Sequence, residues 1–340
     1  MAVDLRPQIE HVAAGRDLAR EDATAALGAM MSGEVPERQI EEMLLALRDK
    51  GETVAEIAGA AAAMRQHMTP IRSRYAKLLD TCGTGGGGSQ TFNISTTAAF
   101  VLAAAGVPVA KHGNRSVTSR SGSADVLAAL GVNIEASLEQ VERCLDELGV
   151  CFCFAPLMHP AMRHVAAVRK RLAVRTIFNL LGPLANPAGA SHQLLGAGRP
   201  ELRAPLAAAL AELGVERALV VSGNDGLGEV TLATDTSATE VAGSRLDDRQ
   251  LTPEEFGIPR QPLDAILVED AAGSAAIVRE VLAGTAGPAR DIVLLNAAAG
   301  LMTFGACDDP RAAAALCAEA IDSRRAAGLL ARLVDLSNQN

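Results

Sequence analysis

The run GTGGGG at residues 83–88 constrains this chain more than any other feature. Leu78 and Leu79 end a short apolar stretch, and Asp80, Thr81 and Cys82 lead from it into the glycines. A backbone so free of side chains takes positive φ and approaches a ligand closely, but six residues with five glycines are entropically costly for a plain turn. Asn93, Ile94, Ser95 and Thr96 then open an Ala-rich helical run over 97–105. Ser and Thr at a helix start cap its free amides, and such a terminus attracts anions. Residues 107–110 read as a second strand that delivers KHGNRS at 111–116 and a small polar run to Ser123. Two anion-receiving loops at neighbouring strand ends predict a phosphorylated or pyrophosphorylated small molecule as ligand.

Two common phosphate motifs do not account for this pattern. Gly83, Gly85 and Gly88 match GxGxxG, but the next strand ends in Lys111, where a dinucleotide site needs an acid for the ribose. Ser89 follows Gly88 where a P-loop needs lysine. Lys111, His112, Asn114 and Arg115 around one glycine instead suit phosphate and hydroxyl recognition. The net charge of -9 makes any anion site a local reversal of sign and argues against nucleic acid or an acidic membrane as partner. One Tyr and no Trp leave little for base stacking. The six cysteines do not read as a disulfide framework; Cys151 and Cys153 fall on one strand face as buried thiols. The apolar stretch 98–110 is broken by Gly106 and Pro108 and is too short to span a bilayer. With no secretory signal pattern, the expected location is cytoplasmic.

The first seventy residues read as helical. Ile40, Met43, Leu44 and Leu47 follow Pro36 at helical spacing, Gly51 ends that run, and Thr53 with Glu56 forms a capping box. From residue 76, strand-like runs at 76–79, 107–110, 150–154, 218–221 and 265–267 alternate with helical runs at 96–105, 138–148, 200–213, 274–283, 291–301 and 310–336. Residues 160–172 read as another helix, followed by NLLGPLANPAG at 179–189. The predicted fold class is α/β: a small N-terminal helical domain over 1–73, with 160–185 packing on it, and a larger domain over 74–340 with a mainly parallel central sheet.

The combination GTGG, NIST, KHGNRS and SGSAD resembles the anthranilate phosphoribosyltransferase family. HPAMRHVAAVR at 159–169 and RTIFNLLGPLANPAG at 175–189 look like further signatures, and the resemblance runs over about residues 15–338. It implies transfer of the 5-phosphoribosyl group from phosphoribosyl pyrophosphate to the amine of anthranilate, in tryptophan biosynthesis, by a magnesium-dependent homodimer with no acid–base residue. By the same resemblance the donor would contact Gly83, Gly86, Gly87, Thr91, Asn93, Ile94, Ser95, Thr96, Lys111, His112, Gly113, Asn114, Arg115, Ser116, Val117, Thr118, Ser119 and Ser123. Anthranilate would contact Gly83, His112, Asn114, His159 and Arg169, and Ser95 and Glu229 would serve the metal. Two positions depart from the family pattern, Gly87 and Gly228, each standing where the family carries Asp. The residues themselves agree on Arg169, which lies in a positive stretch with Arg163, His164, Lys170, Arg171 and Arg175 that suits a small carboxylate; Lys170 and Arg171 read as a solvated face. A nucleoside phosphorylase-like enzyme, an altered-substrate or non-catalytic relative, and a nicotinamide dehydrogenase remain open at this level.

Overall fold

The computed structural model describes residues 3–85, 90–116 and 120–339. Its first part packs α1 (Arg6–Ala13), α2 (Arg20–Ser32), α3 (Glu37–Lys50) and α4 (Val54–Gln66) as a bundle. α3 follows Pro36, buries Ile40, Met43, Leu44 and Leu47, and stops at Gly51. The capping box forms: Thr53 Oγ1 accepts from the Glu56 amide at 3.3 Å, and Glu56 Oε2 from the Thr53 amide at 2.8 Å. Glu56 is fully buried and also accepts from the Leu18 amide at 3.0 Å and from Lys50 Nζ at 2.9 Å. Lys50 reaches Asp17 at 2.7 Å as well. One buried carboxylate therefore ties the connection between α1 and α2 to the start of α4.

The second part is built on strands β1 (Leu79–Gly83), β2 (Val109–Gly113), β3 (Val150–Phe154), β4 (His192–Gly196), β5 (Arg217–Gly223), β6 (Thr236–Ala242) and β7 (Arg245–Leu251). Among the described residues they form one sheet in the order β3-β2-β1-β4-β5-β6-β7. Pairings from β3 through to β5 are parallel, and β6 and β7 add an antiparallel hairpin. Helix α5 (Ile94–Ala104) links β1 to β2, and α6 (Ser123–Leu130) with α7 (Leu138–Leu148) links β2 to β3. The chain then crosses back through α8 (Ala155–Met158), α9 (Arg163–Leu172) and α10 (Phe178–Leu181) to β4. α11 (Arg203–Glu212) leads into β5, and α12 (Ala271–Leu282), α13 (Pro288–Phe304), α14 (Pro310–Asp322) and α15 (Arg325–Ser337) follow the hairpin.

That order reverses direction between β1 and β4, which makes their shared C-terminal end the topological switch point where open α/β sheets bind ligands. Gly83 pairs with Gly196 there, so the glycine run leaves the sheet at the crevice. Strand alternation divides the core in two. Leu194, Leu219 and Val221 join the cluster containing α5 and α13, whereas Leu195, Ala218 and Val220 join the one containing α11 and the bundle. Val165, Val168, Phe178 and Leu181 belong to this second cluster. Arg20 donates to Glu212 O at 2.9 Å and Arg65 to Leu213 O at 3.2 Å, so two bundle cations sit at the C-terminal end of α11, where carbonyls lack helical partners.

Several boundaries differ from the sequence reading for one reason. β1 and β2 each begin two or three residues later and run through polar residues, because Asp80, Thr81, Lys111 and His112 are buried in the ladder rather than loop. β4, β6 and β7 are strands that apolar periodicity does not reveal; β7 is an edge strand whose Arg245, Asp247, Asp248 and Arg249 read as loop. Residues 265–267 are mostly a 3-10 turn (Asp264–Ile266), with Leu267 bridging Thr91. The run 310–336 divides into α14 and α15 at Arg324, which takes φ +63°.

Glu56→Ala leaves Lys50 half-compensated by Asp17 and strands two buried amides. It is expected to cost about 3 kcal/mol, the lower end for breaking a buried ion pair, checked by urea and thermal unfolding against the parent chain.

Candidate active site

The floor of the crevice is polar and dry. Asp80, with no exposed surface, accepts from the His112 amide at 3.1 Å and from Gln193 Nε2 at 3.5 Å. Burial pushes its carboxyl up, with the Lys111 charge acting in opposition. Lys111 Nζ donates to Thr81 O and lies 3.4 Å from Ser95 Oγ. Burial lowers its ammonium, opposed by Asp80. The start of the glycine run is anchored to β4: the Thr84 amide donates to Gly196 O at 2.9 Å, and the Gly198 amide to Thr84 Oγ1 at 3.2 Å.

The start of α5 follows on one side. Asn93 Oδ1 accepts from Ser121 Oγ and from Ser274 Oγ, both at 2.7 Å, and the Asn93 amide donates back to Ser274 Oγ at 3.0 Å. Ser274, on α12, thereby joins the loops that follow β1 and β2. Thr96 Oγ1 is buried and has no hydrogen-bond partner among the described residues. A lone hydroxyl in the first turn of a helix is set to meet an anion. Ile94 packs its side chain in the core, which leaves only its backbone to face a ligand. Thr91 is half-buried and held by its bridge to Leu267.

The KHGNRS loop is organised by Asp125 of α6. Its carboxylate accepts from the Ser116 amide at 2.8 Å and the Gly122 amide at 3.0 Å, and pairs with Arg115 at 3.3 Å. Asn114 Oδ1 accepts from the Arg115 amide at 2.7 Å, and Ser123 Oγ donates to Asn114 O at 3.3 Å. A Cβ on Gly113 would stand 2.1 Å from Ser123 Oγ, so glycine alone fits there. Gly83 is exposed at the end of β1. Gly86, Gly87, Val117, Thr118 and Ser119 lie outside the described residues.

A second group lines the approach from the bundle side. His112 Nδ1 lies 3.0 Å from Gly182 O, and its Nε2 lies 3.2 Å from His159 Nε2. The carbonyl takes a proton, so Nδ1 of His112 carries it and its Nε2 is left facing His159, which the Ala185 backbone also holds. Burial lowers His112 to about 3 and His159 to about 4. Arg169 is half-buried over the Phe178 ring at 5.4 Å and has no carboxylate partner among the described residues. Burial lowers its guanidinium. Its neighbour Arg171 is exposed, as a solvated face requires, and pairs there with Glu37 at 2.9 Å and Glu41 at 2.8 Å on α3.

Among the described residues no three His, Cys, Asp or Glu side chains converge as a metal centre. The hard oxygens that come together are the Ser95 hydroxyl and the Glu229 carboxyl, Ser95 helping to hold that carboxyl in its charged form. Burial pushes Glu229 up to about 7, with Lys111 and Ser95 opposing, although the residue keeps part of its surface exposed. An ion here would take its remaining ligands from substrate oxygens and water. Asp225 does not supply a second carboxylate, since Thr231 Oγ1 donates to it at 2.5 Å and the Leu227 amide at 3.0 Å. Gly228 is packed: a Cβ there would stand 3.1 Å from the Gly198 backbone.

Sequence reasoning assigned no role to four supporting residues. Ser274 and Gln193 carry no motif of their own, and Asp125 and Asn186, though inside SGSAD and NLLGPLANPAG, show what they support only once the fold brings them to a loop. Asn186 Nδ2, for instance, donates to Ala110 O at 2.8 Å.

The two histidines fix a pH dependence. Their folded values, about 3 and about 4, lie below the ordinary 6.5, so the unfolded chain binds protons that the folded chain refuses. Stability is flat above pH 6.5 on their account and falls as pH drops from there toward 4, by about 1.4 kcal/mol per pH unit for each withheld proton. His112→Asn with His159→Asn is expected to flatten that stretch, read from urea midpoints across pH 4–7.

Comparison with known proteins agrees with this geometry. The model of the glycosyl transferase family, helical bundle domain, matches residues 6–68, and that of the glycosyl transferase family, a/b domain, matches 75–327. An anthranilate phosphoribosyltransferase of Rhodopirellula baltica is 50% identical, with 96% of each chain covered. The crystal structure of the anthranilate phosphoribosyltransferase of Thermus thermophilus superposes with a TM-score of 0.92 at 45% identity, covering 97% of this chain and 99% of that one. The Saccharomyces cerevisiae enzyme, solved in complex with PRPP and Mg, gives 0.87 at 26% identity, with 98% of both chains covered. The chain belongs to the anthranilate phosphoribosyltransferase family.

Proposed function

We propose that this protein transfers the 5-phosphoribosyl group of phosphoribosyl pyrophosphate to the amine of anthranilate, releasing pyrophosphate. The observation that carries the reading is the buried Thr96 hydroxyl, without a hydrogen-bond partner among the described residues, in the first turn of the helix that follows β1. Ser95 precedes Thr96 in the chain and lies 3.4 Å from Lys111 Nζ. This end of the sheet offers amides, hydroxyls and one ammonium to a diphosphate.

In the reaction the bond from the anomeric carbon to the pyrophosphate oxygen breaks and a bond to the anthranilate nitrogen forms. Positive charge grows on the ribose ring while negative charge grows on the departing oxygens, so the chain's task is positioning and neutralisation. Lys111 and the amides at the start of α5 face the departing oxygens. Arg169, stacked on Phe178 and lacking an acid of its own, receives the anthranilate carboxylate, with Asn114 orienting the acceptor. His112 and His159 stay neutral and add no competing charge. The amine is neutral near pH 7, and its proton leaves to solvent after the bond forms. Ser95 and Glu229 fit magnesium as two hard ligands, and the ion supplies charge neutralisation to the pyrophosphate. With Gly228 bearing no carboxylate, one ion is held by the protein; a rate that rises steeply with two ions would rule that out.

The division at residue 73, with 160–185 counted to the helical side, belongs to the same proposal; its support is the buried cluster that joins Val165, Val168 and Phe178 to the bundle. All six cysteines are free, which suits a reducing cytoplasm. The homodimer follows from the family resemblance, and sedimentation at twice the 35.1 kDa chain mass checks it.

Loss of anthranilate fluorescence in the presence of donor and magnesium tests the reaction, and phosphorolysis of nucleosides in its place would overturn it. Arg169→Ala is expected to raise the anthranilate KM about 10- to 100-fold, the worth of a charge-assisted hydrogen bond, with kcat little changed. Lys111→Ala is expected to lower kcat/KM for the donor about 100-fold or more. Initial rates with each substrate varied in turn separate the two.

A further inference from the structure

Glu229 lies on a segment, residues 224–235, that has no strand ladder to hold it. Its placement comes from two sides. Gly228 backs onto β4 so closely that a Cβ on Gly196 would stand 1.8 Å from Gly228 O. On the other side Val230 is fully buried, and its amide and carbonyl find their partners on one side chain. The Val230 amide donates to Asn296 Oδ1 at 2.9 Å, and Asn296 Nδ2 donates to Val230 O at 2.9 Å. The second Nδ2 hydrogen goes to Ile292 O at 2.9 Å. Asn296 sits in the middle of α13 with no exposed surface. It thus presents to Val230 the donor and acceptor that a neighbouring strand would, and its carboxamide orientation follows from what Val230 requires.

We propose that Asn296 is a positioning residue for Glu229: by clamping both backbone polar groups of Val230 it fixes the preceding carboxylate against Ser95 at the donor's metal. This rests on the role given to Glu229 above. A merely structural asparagine would hold α13 to the sheet and affect both substrates alike. A positioning one acts on the donor with its metal and leaves the acceptor alone. Gly196 and Gly228 limit retreat toward β4, so loosening Val230 frees the carboxylate to move only away from the site.

The test uses the full chain with phosphoribosyl pyrophosphate, magnesium and anthranilate. Binding of the donor at graded magnesium is measured by calorimetry for the parent, Asn296→Ala, Glu229→Gln and the double variant, each first shown to melt cooperatively. Asn296→Ala is expected to weaken magnesium-dependent donor binding about 10-fold, to raise the magnesium needed for half-maximal binding, and to move the anthranilate KM less than twofold. Added to Glu229→Gln, it is expected to change donor affinity less than twofold, since the two act through one carboxylate. Asn296→Ser, read the same way, decides the matter if the alanine variant does not fold. If Glu229→Gln weakens donor binding and the Asn296 variant does not, or if the two effects add in full, the positioning role is overturned alone. If Glu229→Gln itself leaves the magnesium dependence unchanged, the metal role of Glu229 falls first and this inference with it.

Discussion

Ionisable side chains carried into a dry sheet set the terms for everything around them. Asp80 and Lys111 lie within adjacent strands, each driven toward its neutral form by burial and each favoured in its charged form by the other. Their charges act on one another through space, with no direct ion pair between them among the described residues. Their remaining hydrogen-bonding capacity is taken up by Thr81 O, the His112 amide and Gln193. All of these sit beside the switch point of the sheet. The polar centre that the fold must satisfy is therefore also the floor of the crevice at the switch point.

The same economy joins the bundle to the sheet. Three successive carbonyls, those of Gly182, Pro183 and Leu184, are taken by His112 from β2, Gln193 from β4 and Arg65 from α4. Phe178, which supports Arg169, lies one turn earlier in the same segment. A rotation of the bundle against the sheet must carry this segment along or break its bonds. The Arg169 side of the crevice is thus mechanically linked to the seam between the two parts, whereas the Lys111 side is built on the sheet itself.

Much of this was legible in the residues. Gly83 at the end of β1, the polar start of α5 and the KHGNRS loop lie where their pattern places them, because a strand end followed by glycines and a polar helix start admits few geometries. The helical first part was readable from Pro36, Gly51 and the Thr53–Glu56 box, since those signals act within one turn of chain. What escaped depends on partners distant in sequence. β4 and β6 are strands because neighbours pair with them, not because of an apolar alternation of their own. Polar residues such as Asp80 and Lys111 look like loop until a low-dielectric interior supplies them with each other. Ser274 lies 181 positions from Asn93, and no local pattern announces such a bond.

The outer margin of the sheet has a consequence of its own. β7 leaves one row of backbone groups without a neighbouring strand, and its largely exposed side chains include Arg245, Asp247, Asp248 and Arg249. Another extended chain docking there would have to bring backbone up against a fringe of alternating ionic groups that repel their own kind. That fringe works against a further strand pairing along this border.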